Sequence, residues 1–559
     1  MHNDIIITSQ SPWMALAIMI PLLAAVLSFI GGRRTGPLFT LAAMVGVLVS
    51  VSWIAVQVWT QGPQSEAVGG WAAPLGRELY ADGLSVLMLL MTAIVGSFIT
   101  GYALQYFAHC EASLTSLSFR EPSDVSKEQA IEAVPSLPHA VLSSEHSIVP
   151  VQEEKQHIER EGIQKNHKLV HNSHLFWPLW LLLWSGLNAL FLSSDLFNLY
   201  IILTLIILAA VSLISLKGRA IALQASMRYL LVALFATSIY LLGLALLYGA
   251  VGTLDIKSLA LELEANPTTL IAIVLIVIGL LIKTALFPFH FWLPATYAAA
   301  SAPVSALLSA LVLKGTFYIL LRLGFEVFPI EWFPTLGQLL GLLGAIAILW
   351  GSWQAWQQEH LNRLIAYSII AQVGYFFLLF PLASNMIDAP PWGLMAWKGG
   401  ILLALSHALA ISAMFMASGN LLLRLGTDRL DHLRGLGQRY PITFLTLAIA
   451  GMSIIGLPPS GGFLGNWLLL NAAYESGQWW WAGIIVIGIF LAIAYIGKIF
   501  TPVFDKPIAQ SVVFEKTPVL LPLSMTWLPL LLAFIALVLG LIATSPLTLL
   551  EIGSPFIEI

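Results

Sequence analysis

Runs of about twenty apolar residues recur along most of this 559-residue chain, and that is the length a helix needs to cross a bilayer. Lipid offers no partner to a backbone amide, so runs of this length span a membrane as helices that satisfy their own hydrogen bonds. Fourteen spans can be marked, at about 13–31, 37–58, 83–105, 174–193, 196–216, 227–250, 268–296, 301–323, 332–355, 362–383, 395–423, 440–474, 478–501 and 524–545. Only 10% of the residues are charged and 58% are hydrophobic, against about 25% charged in soluble domains. The single cysteine, Cys110, excludes an intrachain disulfide and a cysteine-based metal cluster. No CxxC, Walker loop or GxGxxG after a strand is present, so no cofactor or metal is expected. Residues 13–31 read as a first span, because a cleavable leader would carry positive charge ahead of the apolar run.

Basic residues set the orientation of such a chain. Arg33 and Arg34, then Lys217, Arg219 and Arg228, then Arg363, then Arg424, Arg429, Arg434 and Arg439, then Lys498, Lys506 and Lys516 fall in alternate loops. Those loops are assigned to the cytoplasm, which leaves both termini outside it. Residues 108–173 differ from the rest, with ten acidic and six basic residues and no sustained periodicity. Such a composition fits a disordered cytoplasmic loop, with a docking arm for a partner as the alternative. The expected organisation is an N-terminal three-helix segment (1–107), that loop (108–173), a first five-helix repeat (174–323), a second (332–501), and a C-terminal helix and tail (502–559). The fourth member of each repeat is interrupted by prolines, at Pro288 and Pro294 and at Pro458 and Pro459. The repeats start on opposite sides of the membrane. Paired interrupted helices in inverted repeats point to a transport site. The predicted fold is therefore an all-α polytopic membrane protein with two inverted five-helix repeats, each with a broken helix.

Charged residues inside a span are costly and usually face a polar cavity. Lys283 precedes the first proline break and Lys314 lies midway along the following span. Burial disfavours the charged form of an amine, so a lysine there can give up and regain a proton. The alternatives are a Lys283 held by carbonyls freed at the break and a Lys314 snorkelling to an interface. His407 stands in an otherwise apolar span, where imidazole suits a proton relay or a satisfied core position. His290, among Phe287, Phe289, Phe291 and Trp292, is a further possible site or simply part of the packing around the break.

Seven segments carry a family resemblance: GGWAAPLGRELYADGLSVL (69–87), DLFNLY (195–200), KTALFPFHFWLP (283–294), SAPVSALLSALVLKG (301–315), LNRLIAYSIIAQVGY (361–375), SHALAISAMFMASG (406–419) and GLPPSGGFLGN (456–466). The chain resembles the antiporter-like subunits shared by respiratory complex I, membrane-bound hydrogenases and Mrp-type sodium/proton antiporters, with the first segment leaning toward the D-type member of the Mrp set. The resemblance implies a hydrated axis at mid-membrane in which a span-five glutamate pairs with a span-seven lysine. Protons would pass on through spans eight and eleven to an exit residue on span twelve. Lys283, Lys314 and His407 match positions on that axis.

Other positions depart from the resemblance. The glutamate falls at Thr204, the span-eleven lysine at Ile411 and the exit lysine at Asn466. Asp195 lies nine residues from Thr204, roughly 13 Å of helix, and cannot substitute without unwinding. The expected function is a proton-translocating subunit of a multisubunit complex in the plasma membrane, handling protons with sodium as a candidate coupled ion. The alternative is a structural subunit that has lost transport. No catalytic residue is assigned, and membership of a complex with NADH:quinone oxidoreductase-type activity stays open.

Overall fold

Helices that are apolar all round have no face to offer water, and this chain forms little else. The computed structural model describes residues 7–8, 12–68, 77–118, 173–384, 390–505 and 521–556. Eleven described helices are long and apolar enough to cross a membrane. The difference from the fourteen spans expected lies in three places. Helix α1, Trp13–Gln61, runs continuously through two of the marked spans and turns at Gly32, where φ is 67°. Two further apolar helices, α13 (Pro441–Ile455) and α16 (Leu523–Val538), are shorter. Helix α2 runs Gly83–Ser118, past the boundary expected at residue 107. The rest of the polar loop, 119–172, lies outside the described residues, as do 69–76 of the first resemblance segment.

The first repeat comprises α3 (Phe176–Leu192), α4 (Leu196–Ser215), α5 (Ala220–Val251), the broken pair α7 (Pro267–Lys283) and α8 (Leu293–Ala299), and α9 (Ala302–Val327). A short surface helix α6, Ile256–Glu262, precedes α7. The second repeat comprises α10 (Phe333–Gln357), α11 (Leu361–Ala383), α12 (Pro391–Leu425), the broken pair α13 and α14 (Gly461–Glu475), and α15 (Trp479–Phe504). Following the chain from helix to helix, α3 starts at the end where Ser173 bonds Glu111, and Glu111 pairs with Arg33. Helix α10 starts at the opposite end, where Phe333 packs on Phe325. The repeats are thus inverted.

Among the described residues, one element is not helical. A three-stranded sheet of β1 (Ile7–Thr8), β2 (Gln64–Val68) and β3 (Arg77–Ala81) lies before α2, with β1 parallel and β3 antiparallel to β2. Helix α17, Thr544–Glu551, closes the chain against the same end of the bundle. Its Glu551 pairs with Lys398 of α12, and Phe556 packs on Phe325 and Trp397 at ring distances of 5.6 and 5.9 Å.

Lipid supplies no hydrophobic force between helices, so small residues let backbones approach. A Cβ on Gly374 of α11 would clash with Gly344 O of α10, and one on Gly279 of α7 would lie 2.7 Å from Ala236 O of α5. Overpacking of a tight contact costs about 1–3 kcal/mol. Gly374→Ala is therefore expected to lower the thermal midpoint of the purified protein in detergent. Gly483→Ala, where an added methyl meets nothing within 4 Å, should leave it unchanged. Equal midpoints for the two variants would contradict the close approach of α10 and α11.

Candidate functional site

Helix α7 ends at Lys283 because Thr284 folds its hydroxyl back onto Leu280 O and Leu281 O, at 3.1 and 3.0 Å. Ala285 then adopts φ 54°, Pro288 follows, and a 3₁₀ turn over Phe289–Trp292 leads to Pro294 in the first turn of α8. A broken helix leaves carbonyls unpaired. Trp292 answers this directly, its indole Nε1 donating to Ile282 O at 3.1 Å. The carbonyls of Leu280, Leu281 and Ile282 thus accept from the side chains of Thr284 and Trp292 and from backbone amides of the turn, and none accepts from Lys283 Nζ. Lys283 Nζ is buried and makes no hydrogen bond among the described residues. It lines a small, partly enclosed cavity of about 20 Å³. Leu203, Ile206 and Ile207 of α4 and Tyr229 of α5 form part of the wall, and no carboxylate does.

The next helix carries the second lysine. Leu308–Val312 of α9 winds as a π-turn, which loosens the backbone bonding and often marks a functional position. Lys314 Nζ donates to Ser309 O in that turn at 2.8 Å. It also lies 2.8 Å from His407 Nδ1 of α12. Lys314 is 1% exposed and His407 3%, so Lys314 is not snorkelling. The Phe376 ring closes the site, 5.9 Å from Nζ and 5.5 Å from the imidazole. Two nitrogens at this distance share one proton: an ammonium donating to a neutral imidazole, or a neutral amine accepting from Nδ1–H. His407 Nε2 is buried without a partner among the described residues, so the imidazole keeps a second nitrogen for onward exchange.

His290 stands apart. Its Nε2 accepts from Trp350 Nε1 of α10 at 3.2 Å, and its ring stacks on Phe287 at 5.5 Å. It belongs to the packing around the break and does not line the Lys283 cavity. Sequence reasoning missed a further charged cluster. Arg322 of α9, one residue inside the end of the span marked 301–323, is 5% exposed and binds Asp82 Oδ1 at 2.6 Å, Ser85 Oγ at 2.9 Å and Tyr318 Oη at 3.0 Å, and pairs with Glu326. The signal for it was the four-residue spacing of Lys314, Tyr318, Arg322 and Glu326.

Comparison with known proteins gives this arrangement a place. Residues 193–492 match the transmembrane family described as NADH:quinone oxidoreductase/Mrp antiporter. The chain belongs to that family. It is 31% identical to NADH-quinone oxidoreductase subunit N of Desulforudis audaxviator over 90% of this chain and 89% of that one. It is 28% identical to the D component of the Na(+)/H(+) antiporter of Bacillus subtilis over 88% and 86%. The fold resembles a chain of the Mrp complex from Dietzia sp., with a TM-score of 0.78, 22% identity and 98% of both chains covered. It also resembles a chain of an archaeal membrane-bound sulfane sulfur reductase, with a TM-score of 0.76 and 25% identity over 98% of both.

Within this antiporter family frame, the three departing residues sit in different surroundings. Thr204 is half-buried, donates to Tyr200 O at 2.9 Å, and is absent from the Lys283 cavity wall. Asp195 caps α4 through Asn198 N at 2.7 Å, far from that cavity along the helix. Ile411 is fully buried in α12. Asn466 sits in α14 beside the second break, its Oδ1 buried without a partner among the described residues. At that break Pro458 and Pro459 separate α13 from α14, and Ser460 caps α14 through Phe463 N. Gln372 of α11 donates to Ile454 O at 2.9 Å, the counterpart of Trp292 on Ile282 O.

Lys217, in the loop between α4 and α5, ties the site to its surroundings by donating to Ala300 O just after α8, at 3.3 Å. Burial, then the neighbouring Arg219, pushes this ammonium down from 10.5 to about 8. Between those pH values the unfolded chain holds a proton that the folded chain has released, so stability rises with pH across the window. Lys217→Met should flatten that rise in thermal midpoints measured in detergent. An unaltered slope would mean that burial of Lys217 does not govern it.

Proposed function

We propose that this chain moves protons across the plasma membrane as one antiporter-like subunit of a multisubunit membrane complex of the Mrp or complex I type. Lys283, Lys314 and His407 carry the protons. The observation behind this reading is the Lys314–His407 contact, a buried pair of titratable nitrogens that joins the two repeats. Lys283 belongs to the same path on the preceding broken helix, and its cavity reaches α9 at Val312 and Thr316, on either side of Lys314 in sequence. The basic loops among the described residues lie at one end of the bundle, which favours that end as cytoplasmic and both termini as external. Names of relatives support other membrane subunits as partners and sodium as the candidate coupled ion.

A second reading, a subunit that keeps the fold without transport, is favoured by Thr204, Ile411 and Asn466 and by the lack of a carboxylate around Lys283. Substitution in the assembled complex separates the two. Positioned proton-transfer groups contribute about a hundredfold or more, so Lys314→Ala and Lys283→Ala are each expected to lower proton-coupled transport by that order while subunit levels hold. Undiminished transport in both variants would establish the structural role. Thr204→Glu should shift the pH dependence of transport by bringing a carboxylate next to the cavity wall. An identical pH profile would show that α4 does not communicate with Lys283.

A further inference from the structure

Lys314, Tyr318, Arg322 and Glu326 recur every fourth residue along α9. Four residues advance a helix by about 6 Å, so these side chains stack along one face. The upper three make one cluster with α2. Tyr318 Oη donates to Phe191 O at 2.9 Å, lies 3.0 Å from Ser85 Oγ and accepts from Arg322 Nε at 3.0 Å. Arg322 Nη2 meets Asp82 Oδ1, which also accepts from Ser85 N at 2.9 Å. Above them opens a pocket of about 460 Å³, with Tyr318, Arg322 and Glu326 among its walls and Lys257, Ala260 and Ser554 on other sides.

A purely structural ion pair needs one carboxylate, and Asp82, 1% exposed, already supplies it to Arg322. Glu326 is a second carboxylate on the same guanidinium, and its side chain is 27% exposed to the pocket. A cluster with one surplus, accessible carboxylate above a file that leads down to a buried lysine has the layout of an exchange site. It lies at the end of the bundle opposite Lys217 and the other basic loops.

Resting on the proton-path reading above, we propose that this pocket is the aqueous mouth of the Lys314 path, and that Glu326 is the group through which protons pass between that path and bulk water. Tyr318, at the pocket floor, relays through intervening water. It takes up one proton as it gives up its own and ends unchanged. Outward transfer leaves Lys314 a neutral amine and Glu326 a neutral acid, and the carboxylic proton then passes to bulk water. The groups facing Glu326 are Arg322 and Tyr318 on its own helix, Asp82 just before α2, Lys257 on α6 and Tyr80 on β3.

The test uses the assembled complex in sealed membrane vesicles, with proton flux measured across a pH series. Glu326→Gln is expected to cut flux about tenfold or more and to change the shape of its pH profile, which loss of a merely structural contact would not do. Tyr318→Phe should lower flux while keeping the profile. A second arm acts after folding. Ala260 is exposed at the mouth and the only native thiol, Cys110, is buried. In a Cys110→Ser background, Ala260→Cys should lose flux on reaction with a membrane-impermeant cationic thiol reagent, applied to each face in turn. If Glu326→Gln fails to assemble, the labelling arm decides alone. Unchanged rate and pH profile in Glu326→Gln, or full flux after complete labelling, overturns the proposal provided that Lys314→Ala abolishes flux. If Lys314→Ala also transports normally, the proton-path reading itself fails.

Discussion

A polar group that leaves water for an apolar slab must find a partner or lose about 1–3 kcal/mol, and the interior of this protein follows from how that demand is met. Breaking a helix at membrane depth exposes carbonyls, and several of them here accept from a side chain that can reach them. Trp292 covers Ile282 O, Gln372 covers Ile454 O, and Lys314 covers Ser309 O in the π-turn. Two of these donors come from outside the functional pattern read in the sequence. They make the breaks permanent features of the bundle, because the local backbone is satisfied as it stands. The third, Lys314, does two jobs with one group.

Three cations buried in the described spans, Arg322, Lys314 and Lys283, are housed in different ways. Arg322 has every side of its guanidinium engaged, with carboxylates among its partners. Lys314 has a carbonyl and an imidazole, neither of them charged by necessity. Lys283 has neither a protein hydrogen bond among the described residues nor a carboxylate in its cavity wall. A fixed charge such as that of Arg322 is held in place by its partners, whereas groups with neutral or absent partners can change protonation state without leaving an opposite charge stranded. The gradient from Arg322 to Lys283 therefore runs from a charge fixed by carboxylates to amines with no carboxylate partner among the described residues.

Much of this was legible because prolines and charges stand out against an apolar background. The broken helices, the inverted order of the repeats and the lysines at mid-span could be read from their positions alone. What could not be read was pairing across distance. Lys314 and His407 are 93 residues apart and Arg322 and Asp82 are 240 apart, and no local pattern connects them. Arg322 looked like a helix-end residue because the span-length rule places a boundary there, while the tertiary fold carries α9 on for another turn through Glu326. Trp292 looked like filler because its apolar ring outweighs its single N–H in any composition argument. His290 attracted notice for its chemistry, yet its neighbours turn it toward Trp350 of α10.

The bond between Lys314 and His407 has a mechanical side. Lys314 closes the first repeat and His407 lies in the third helix of the second, so a 2.8 Å contact bridges two units of opposite topology. A hydrogen bond of that length weakens steeply if its ends drift apart by an ångström. Sliding or tilting one repeat against the other therefore cannot leave the proton's resting place untouched, and relocating the proton alters the force that draws the repeats together. The seam between the halves works as a strain gauge whose reading is a charge.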